Sequence, residues 1–216
     1  MSKIRAVAFD MDGLMFDTES VYWKSASALL GRRGDEYTDD LCNSVMGCPP
    51  QYCFELFKKT FSYSESWQEL QKESEELFLE FLKEGFSAMP GLFELLDFLE
   101  LRAVSKCICT SSSRRVVSAV LSSYGVEGRF EFVLTAEDIV RGKPEPEIYL
   151  KAAANFGIKS DELLVLEDSV AGCNAAYASN AFPVVVLAEH NKSGNFENAK
   201  LIVNSLNAPE IFNLFK

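Results

Sequence analysis

Residues 6–13, Ala6-Val7-Ala8-Phe9-Asp10-Met11-Asp12-Gly13, set four consecutive apolar residues directly before two carboxylates and a glycine. So short an apolar run, without polar alternation, reads as a strand buried on both faces, as in the middle of a parallel sheet. Carboxylates at the end of such a strand call for a cation, because an unpaired buried charge is strongly disfavoured. In extended chain Asp10 and Asp12 reach the same side, and Gly13 can take the positive φ of a sharp turn. Taken alone, the stretch also fits an acidic strand-to-loop junction around a surface turn, the lesser of the two readings. The rest of the chain has to decide.

Behind this strand the periodicity turns helical and stays so. Glu19–Gly31 carries Val21, Tyr22, Ala26, Leu29 and Leu30 at helical spacing, and an acidic amphipathic stretch, Asp39–Val45, ends at Met46-Gly47. Pro49 and Pro50 precede a helix holding Cys53, Phe54, Phe57 and Phe61, and residues 64–84 place Trp67, Leu70, Leu77, Phe78 and Phe81 on one stripe. No strand signal interrupts this region. The pattern predicts a helical bundle inserted after the first strand, with the aromatic stripe as its core.

From Met89-Pro90-Gly91 onward, helix and strand alternate. The spacing predicts helices over 91–102, around Val116 to a stop at Gly125, from Pro146 to a stop at Gly157, over 169–179 with Asn180 as a left-handed cap, and over 209–215. Strands are expected over 106–109, 130–134, 163–166, 182–187 and 201–203. Repeated β-α-β units make the fold class α/β, a doubly wound parallel sheet with right-handed crossovers.

A chain of 216 residues suits one large domain or a core with a smaller insertion, and 17 Phe provide ample core. The net charge of −11 argues against nucleic acid or an anionic membrane as partner. A small phosphorylated substrate stays compatible, since a local cationic site can sit inside an acidic protein. No signal-peptide pattern and no apolar run of membrane-spanning length is present. Of six Cys, none forms a C-x-x-C pair, and Cys107 and Cys109 flank Ile108 in a strand as small apolar fillers. A cytoplasmic, reduced, monomeric protein is the expectation.

In open parallel sheets, ligands bind beyond the carboxyl ends of the strands. The first strand ends in Asp10 and Asp12, the second in Thr110-Ser111-Ser112-Ser113, and strand 163–166 in Glu167-Asp168-Ser169; the loop after 130–134 holds Arg141-Gly142-Lys143-Pro144. Singly, each has a plain structural account: a helix N-cap, acids at a helix's positive end, a solvated lysine. Together they form more. Several carboxylates need a cation, while hydroxyls at a helix N-terminus with a lysine make an anion site. Carboxylates suit a hard ion such as Mg²⁺, often shared with a substrate phosphate. Metal, phosphate and a nucleophilic carboxylate make a phosphoryl-transfer site.

Phe9-Asp10-Met11-Asp12-Gly13-Leu14, Asp17-Thr18-Glu19, Thr110-Ser111-Ser112, Gly142-Lys143-Pro144 and Leu166-Glu167-Asp168-Ser169, in that order, resemble the haloacid dehalogenase superfamily, and within it the β-phosphoglucomutase-like phosphatase branch. The resemblance implies a Rossmannoid catalytic core over 1–16 and 87–216 and a helical cap over 17–86. It implies Asp10 as the nucleophile that forms an aspartyl phosphate and Asp12 as general acid and base. Asp10, the Asp12 main-chain carbonyl and Asp168, helped by Glu167, would hold Mg²⁺. Thr110 and the Ser111 backbone would hold the phosphoryl oxygens, and Lys143 would neutralise Asp10 and the phosphate.

The departures bear on substrate. Where mutases of the branch carry a histidine, this chain has Tyr22; where many sugar-phosphate enzymes place a cap-loop arginine, counting from Gly47, it has Pro50. The single histidine, His190, reads as a surface residue remote from the chemistry. Hydrolysis is therefore favoured over a β-phosphoglucomutase-type mutase. Asp12 speaks against a dehalogenase, which needs no acid for a leaving alcohol, and Lys58, Lys59, Lys72 and Lys83 show no context for phosphonate hydrolysis. A non-enzymatic, receiver-like phospho-acceptor would lack the helical insertion. Asp17-Thr18-Glu19-Ser20-Val21-Tyr22, Val45-Met46-Gly47 and Met89-Pro90-Gly91 are similar to pseudouridine-5′-phosphatase-type relatives.

Overall fold

The computed structural model describes residues 3–45 and 48–216, apart from the side chain of Asn43; the Met46-Gly47 helix end and cap-loop glycine lie outside the described residues. The chain divides into two compact units, 1–17 with 88–216, and 18–87.

The larger unit is built on a six-stranded parallel sheet in the order β3-β2-β1-β4-β5-β6. Its strands are β1 (Ala6–Phe9), β2 (Ser105–Cys109), β3 (Val133–Leu134), β4 (Leu163–Glu167), β5 (Phe182–Val186) and β6 (Leu201–Val203). β1 lies between β2 and β4, pairing Phe9 with Ile108 on one side and with Leu166 on the other. All four of its residues are buried, as the unalternating apolar run requires. One face packs Ala6, Ala8, Cys107, Cys109 and Val165 against Ile148, Tyr149, Ala152 and Ala153 of α7 (Glu147–Phe156) and Ala175 and Ala176 of α8 (Val170–Ala178). On the other, the Phe9 ring meets Phe130 edge-on at 5.8 Å. The buried Cys107 and Cys109 sulfurs lie 3.8 Å apart, fillers as expected.

The unit also contains α5 (Leu92–Leu101), α6 (Arg114–Tyr124) and α9 (Pro209–Asn213). Gly125 and Gly157 close α6 and α7 in the left-handed conformation, and Asn180 adopts it after α8. Only β3 departs clearly from expectation. The span 130–134 narrows to two residues, because a 3₁₀ turn at Glu127–Arg129 feeds directly into this edge of the sheet. Residues 131 and 132 keep single bonds to β2, from Glu131 N–H to Lys106 O and from Ile108 N–H to Phe132 O.

The second unit consists of α1 (Glu19–Gly31), α2 (Asp39–Val45), α3 (Pro50–Phe61) and α4 (Trp67–Leu82). Leu29, Leu30, Phe54, Phe57, Leu70 and Leu77 form its core, with Trp67 and Phe81 packed against it. The aromatic stripe is bundle core. Ser66 starts α4 with a reciprocal capping box: its hydroxyl accepts the Glu69 N–H, and Glu69 accepts the Ser66 N–H.

Candidate active site

β1 and β4 deliver the acidic groups side by side, and the loop before α7 delivers the cation. Glu147, in the first turn of α7, accepts the N–H groups of Val140 and Arg141 at 2.8 and 2.9 Å, anchoring that loop ahead of Lys143. The Lys143–Pro144 peptide is cis. Lys143, 4% exposed, donates to Asp10 Oδ1 at 2.5 Å, Glu167 Oε1 at 2.6 Å and the Cys109 carbonyl at 3.1 Å. Its three ammonium hydrogens therefore each have an acceptor. Burial lowers its pKa, but Asp10 and Glu167 outweigh burial and hold the ammonium charged, with a raised pKa.

Glu167 is fully buried and fully satisfied. Oε1 also accepts the Tyr149 hydroxyl at 2.5 Å, and Oε2 accepts the Asp168 N–H, the Ser169 N–H and the Ser169 hydroxyl. Gly172 of α8 makes the space, since a Cβ there would stand 1.8 Å from Glu167 Oε1. Tyr149 reads in sequence as part of the apolar face of α7. A tyrosine at a core position is the signal that its hydroxyl needs a partner.

At the end of β2 the Thr/Ser run divides its labour. Ser113 caps α6 by accepting the Val116 N–H. Thr110 and Ser112 instead turn to Asp12, donating to its Oδ2 at 3.2 and 2.6 Å, while Thr110 Oγ1 accepts the Ser112 N–H. Ser111 sits half-buried between them. The two carboxylates thus differ: Asp10 faces an ammonium, Asp12 two hydroxyls.

Asp168 is held from an unexpected quarter. His190 Nε2 lies 2.7 Å from Asp168 Oδ2, with the imidazole side chain 22% exposed. This corrects the reading of His190 as a remote surface residue. The contact spans 22 positions in sequence, bridged by α8 and β5, and nothing in Glu189-His190-Asn191 marks it locally. Asn191 beside it donates to the Asp168 carbonyl.

Oxygens of Asp10, Glu167 and Asp168, all buried, lie within 4.8 Å of one another. Burial pushes the Asp10 carboxyl well up against the pull of Lys143, and Glu167, Asp168 and Asp12 push it further. More negative charge converges here than Lys143 compensates. That excess and the all-oxygen donor set fit a hard divalent cation.

Residues 7–186 match the family model described as haloacid dehalogenase-like hydrolase. The chain belongs to this family. Over 208 residues this haloacid dehalogenase-like hydrolase is 29% identical to a "Phosphorylated carbohydrates phosphatase" of Thermotoga maritima, covering 94% of this chain and 88% of that protein. It is 30% identical over 196 residues to a Drosophila melanogaster protein named "Probable pseudouridine-5'-phosphatase", covering 86% and 83%. A crystal structure of β-phosphoglucomutase from Clostridium difficile shares the hydrolase's fold with a TM-score of 0.84 at 24% identity, over 98% of this chain and 97% of that one.

Proposed function

We propose that the chain is a Mg²⁺-dependent phosphatase that hydrolyses a small phosphorylated metabolite, a sugar phosphate or a nucleotide-monophosphate-like compound, through an aspartyl phosphate on Asp10. The observation that carries this reading is the buried contact of Lys143 with Asp10 at 2.5 Å, beside Glu167 and Asp168. It pulls Asp10 toward the ionised nucleophile against burial and the neighbouring acids, and a bound divalent cation would complete that pull where an approaching phosphate adds still more negative charge.

In the first half-reaction an Asp10 oxygen bonds to phosphorus and the bond to the leaving oxygen breaks. Asp12 gives that oxygen its proton. Water then attacks the phosphoaspartate, Asp12 takes the water's proton, and inorganic phosphate leaves as Asp10 is restored. The Ser111 N–H and Thr110, whose hydroxyl donates to Asp12 before phosphate enters, receive the phosphoryl oxygens, and Lys143 offsets their charge. Asp10, Asp168 and the Asp12 main-chain carbonyl would hold Mg²⁺; Glu167, with both oxygens committed, fixes Lys143 beside that position. The chemistry Mg²⁺ supplies when bound is charge screening between the nucleophile and the phosphate.

The names of the two phosphatase relatives support the substrate class. Tyr22, whose ring packs 4.5 Å from Phe78, supports hydrolysis over mutase chemistry, because no imidazole stands at its position. Membership of a hydrolase family sets aside the receiver-like, non-enzymatic reading. In this reading the helical unit is a cap that selects the leaving group, and the protein acts as a cytoplasmic monomer without nucleic-acid or membrane partners. The net charge of −11 supports the absence of nucleic-acid and anionic-membrane partners, and no helix among the described residues is long and apolar enough to cross a membrane.

Purified protein with Mg²⁺ is expected to release phosphate from p-nitrophenyl phosphate, and Asp10→Asn to lower turnover about 1,000-fold or more. Undiminished turnover in that variant would remove Asp10 from its role.

A further inference from the structure

We propose that His190 and Asn191 are positioning residues that set Asp168 for the metal ion, an inference that rests on the metal-dependent reading above. Asp168 is gripped at two points by the loop after β5. His190 Nε2 meets its carboxylate at Oδ2, 2.7 Å away, and the Asn191 amide donates to its main-chain carbonyl at 2.8 Å. Asn191, 7% exposed, spends the rest of its hydrogen-bonding capacity on the loop itself. It donates to the Val186 carbonyl at 3.0 Å, at the end of β5, and accepts the Ala188 N–H at 2.8 Å. One amide therefore ties the end of β5, the turn that carries His190, and the backbone of Asp168.

A third segment confirms how tightly this corner is drawn. Gly13, in the turn after β1 with φ +75°, would put a Cβ 2.2 Å from Asp168 Oδ2 and 3.0 Å from His190 Nε2. Backbone from the β1 turn, carboxylate from β4 and imidazole from the β5 loop converge on one oxygen. Asp168 is buried, so its carboxylate depends on these neighbours for its orientation. Hydrogen-bond partners of a ligating carboxylate fix its orientation, and losing one typically costs about 10–100-fold in metal affinity.

The test is direct binding of Mn²⁺ to the full chain, followed by electron paramagnetic resonance of the free ion, with Mg²⁺ binding by calorimetry alongside. His190→Ala is expected to weaken Mn²⁺ binding about 10-fold or more. His190→Gln, whose amide nitrogen can reach the place of Nε2, is expected to restore most of it. Asn191→Asp, which loses both donors, is expected to weaken binding as His190→Ala does. In turnover, the Mg²⁺ concentration for half-activation rises while the rate at saturating Mg²⁺ changes far less, a split that general loss of folding would not produce. Wild-type protein that binds no Mn²⁺ overturns the metal reading and this inference with it. Wild-type binding with His190→Ala within about twofold of it overturns the inference and leaves the metal reading standing. A Gln variant as weak as the Ala variant overturns the hydrogen-bonding role of the imidazole.

Discussion

Glu167 has no exposed surface, and both its oxygens are taken by hydrogen bonds from Lys143, Tyr149, Ser169 and the backbone. Its negative charge is tolerated because Lys143 stands 2.6 Å away, and Lys143 in turn is held in line with Asp10. Breaking a buried ion pair by deleting one partner costs about 3–5 kcal/mol, because the remaining charge is stranded. Gly172 offers a gentler probe. In a helix interior Gly→Ala ordinarily stabilises by about 1 kcal/mol. Here the added methyl would meet Glu167 Oε1 at 1.8 Å, so the sign is expected to reverse. Gly172→Ala is expected to lose about 1–3 kcal/mol in urea unfolding and to lower turnover through a displaced Lys143. A variant as stable as wild type would show that the carboxylate moves aside without consequence.

At the scale of elements, the strands deliver the chemistry and the helix ends stabilise it. α6 and α8 both begin at carboxyl ends of strands, capped by Ser113 and Ser169. Away from the site, α5 is tied to β2 by charge. Glu100 of α5 faces Lys106 of β2 at 3.1 Å and Arg129 at 2.8 Å. Lys106 is only 6% exposed, so it depends on that carboxylate. The hydrogen bond from Arg129, joined by Lys106, outweighs desolvation and lowers the Glu100 pKa from 4.5 to about 2. A depressed carboxyl stabilises the fold above its unfolded pKa and loses that contribution as pH falls through the folded one. The stability difference between wild type and Glu100→Gln is therefore expected to be full at pH 6 and to shrink between pH 4.5 and about 2. Urea midpoints at pH 6 and pH 3 check this; a difference independent of pH would contradict it. Glu100 is 41% exposed on its side chain, so solvent screening keeps the effect modest.

For the whole molecule, the parallel sheet and the helical insertion were legible because their signals are periodic and local. The four apolar residues of β1 and the aromatic stripe of α4 each name their environment without help from distant chain. The strand-end acids were legible once the sheet was, since a doubly wound sheet brings strand ends to one rim. Contacts made by loops were not. His190 reaches Asp168 only because β4 and β5 are neighbours in the sheet, and Tyr149 looks like core until Glu167 is placed beneath its hydroxyl. The length of β3 also escaped, because the 3₁₀ turn at Glu127–Arg129 that shortens it leaves no mark in the apolar content of 130–134. In the proposed mechanism these parts serve one carboxylate, Asp10. Acid quenching during turnover of an aryl phosphate, borohydride reduction of any acyl phosphate and peptide mass spectrometry would locate the phosphorylated residue directly. Homoserine is expected at position 10 alone, formed only when Mg²⁺ and substrate are both present; turnover with no modified residue, or with the modification elsewhere, would rule out Asp10 as the nucleophile.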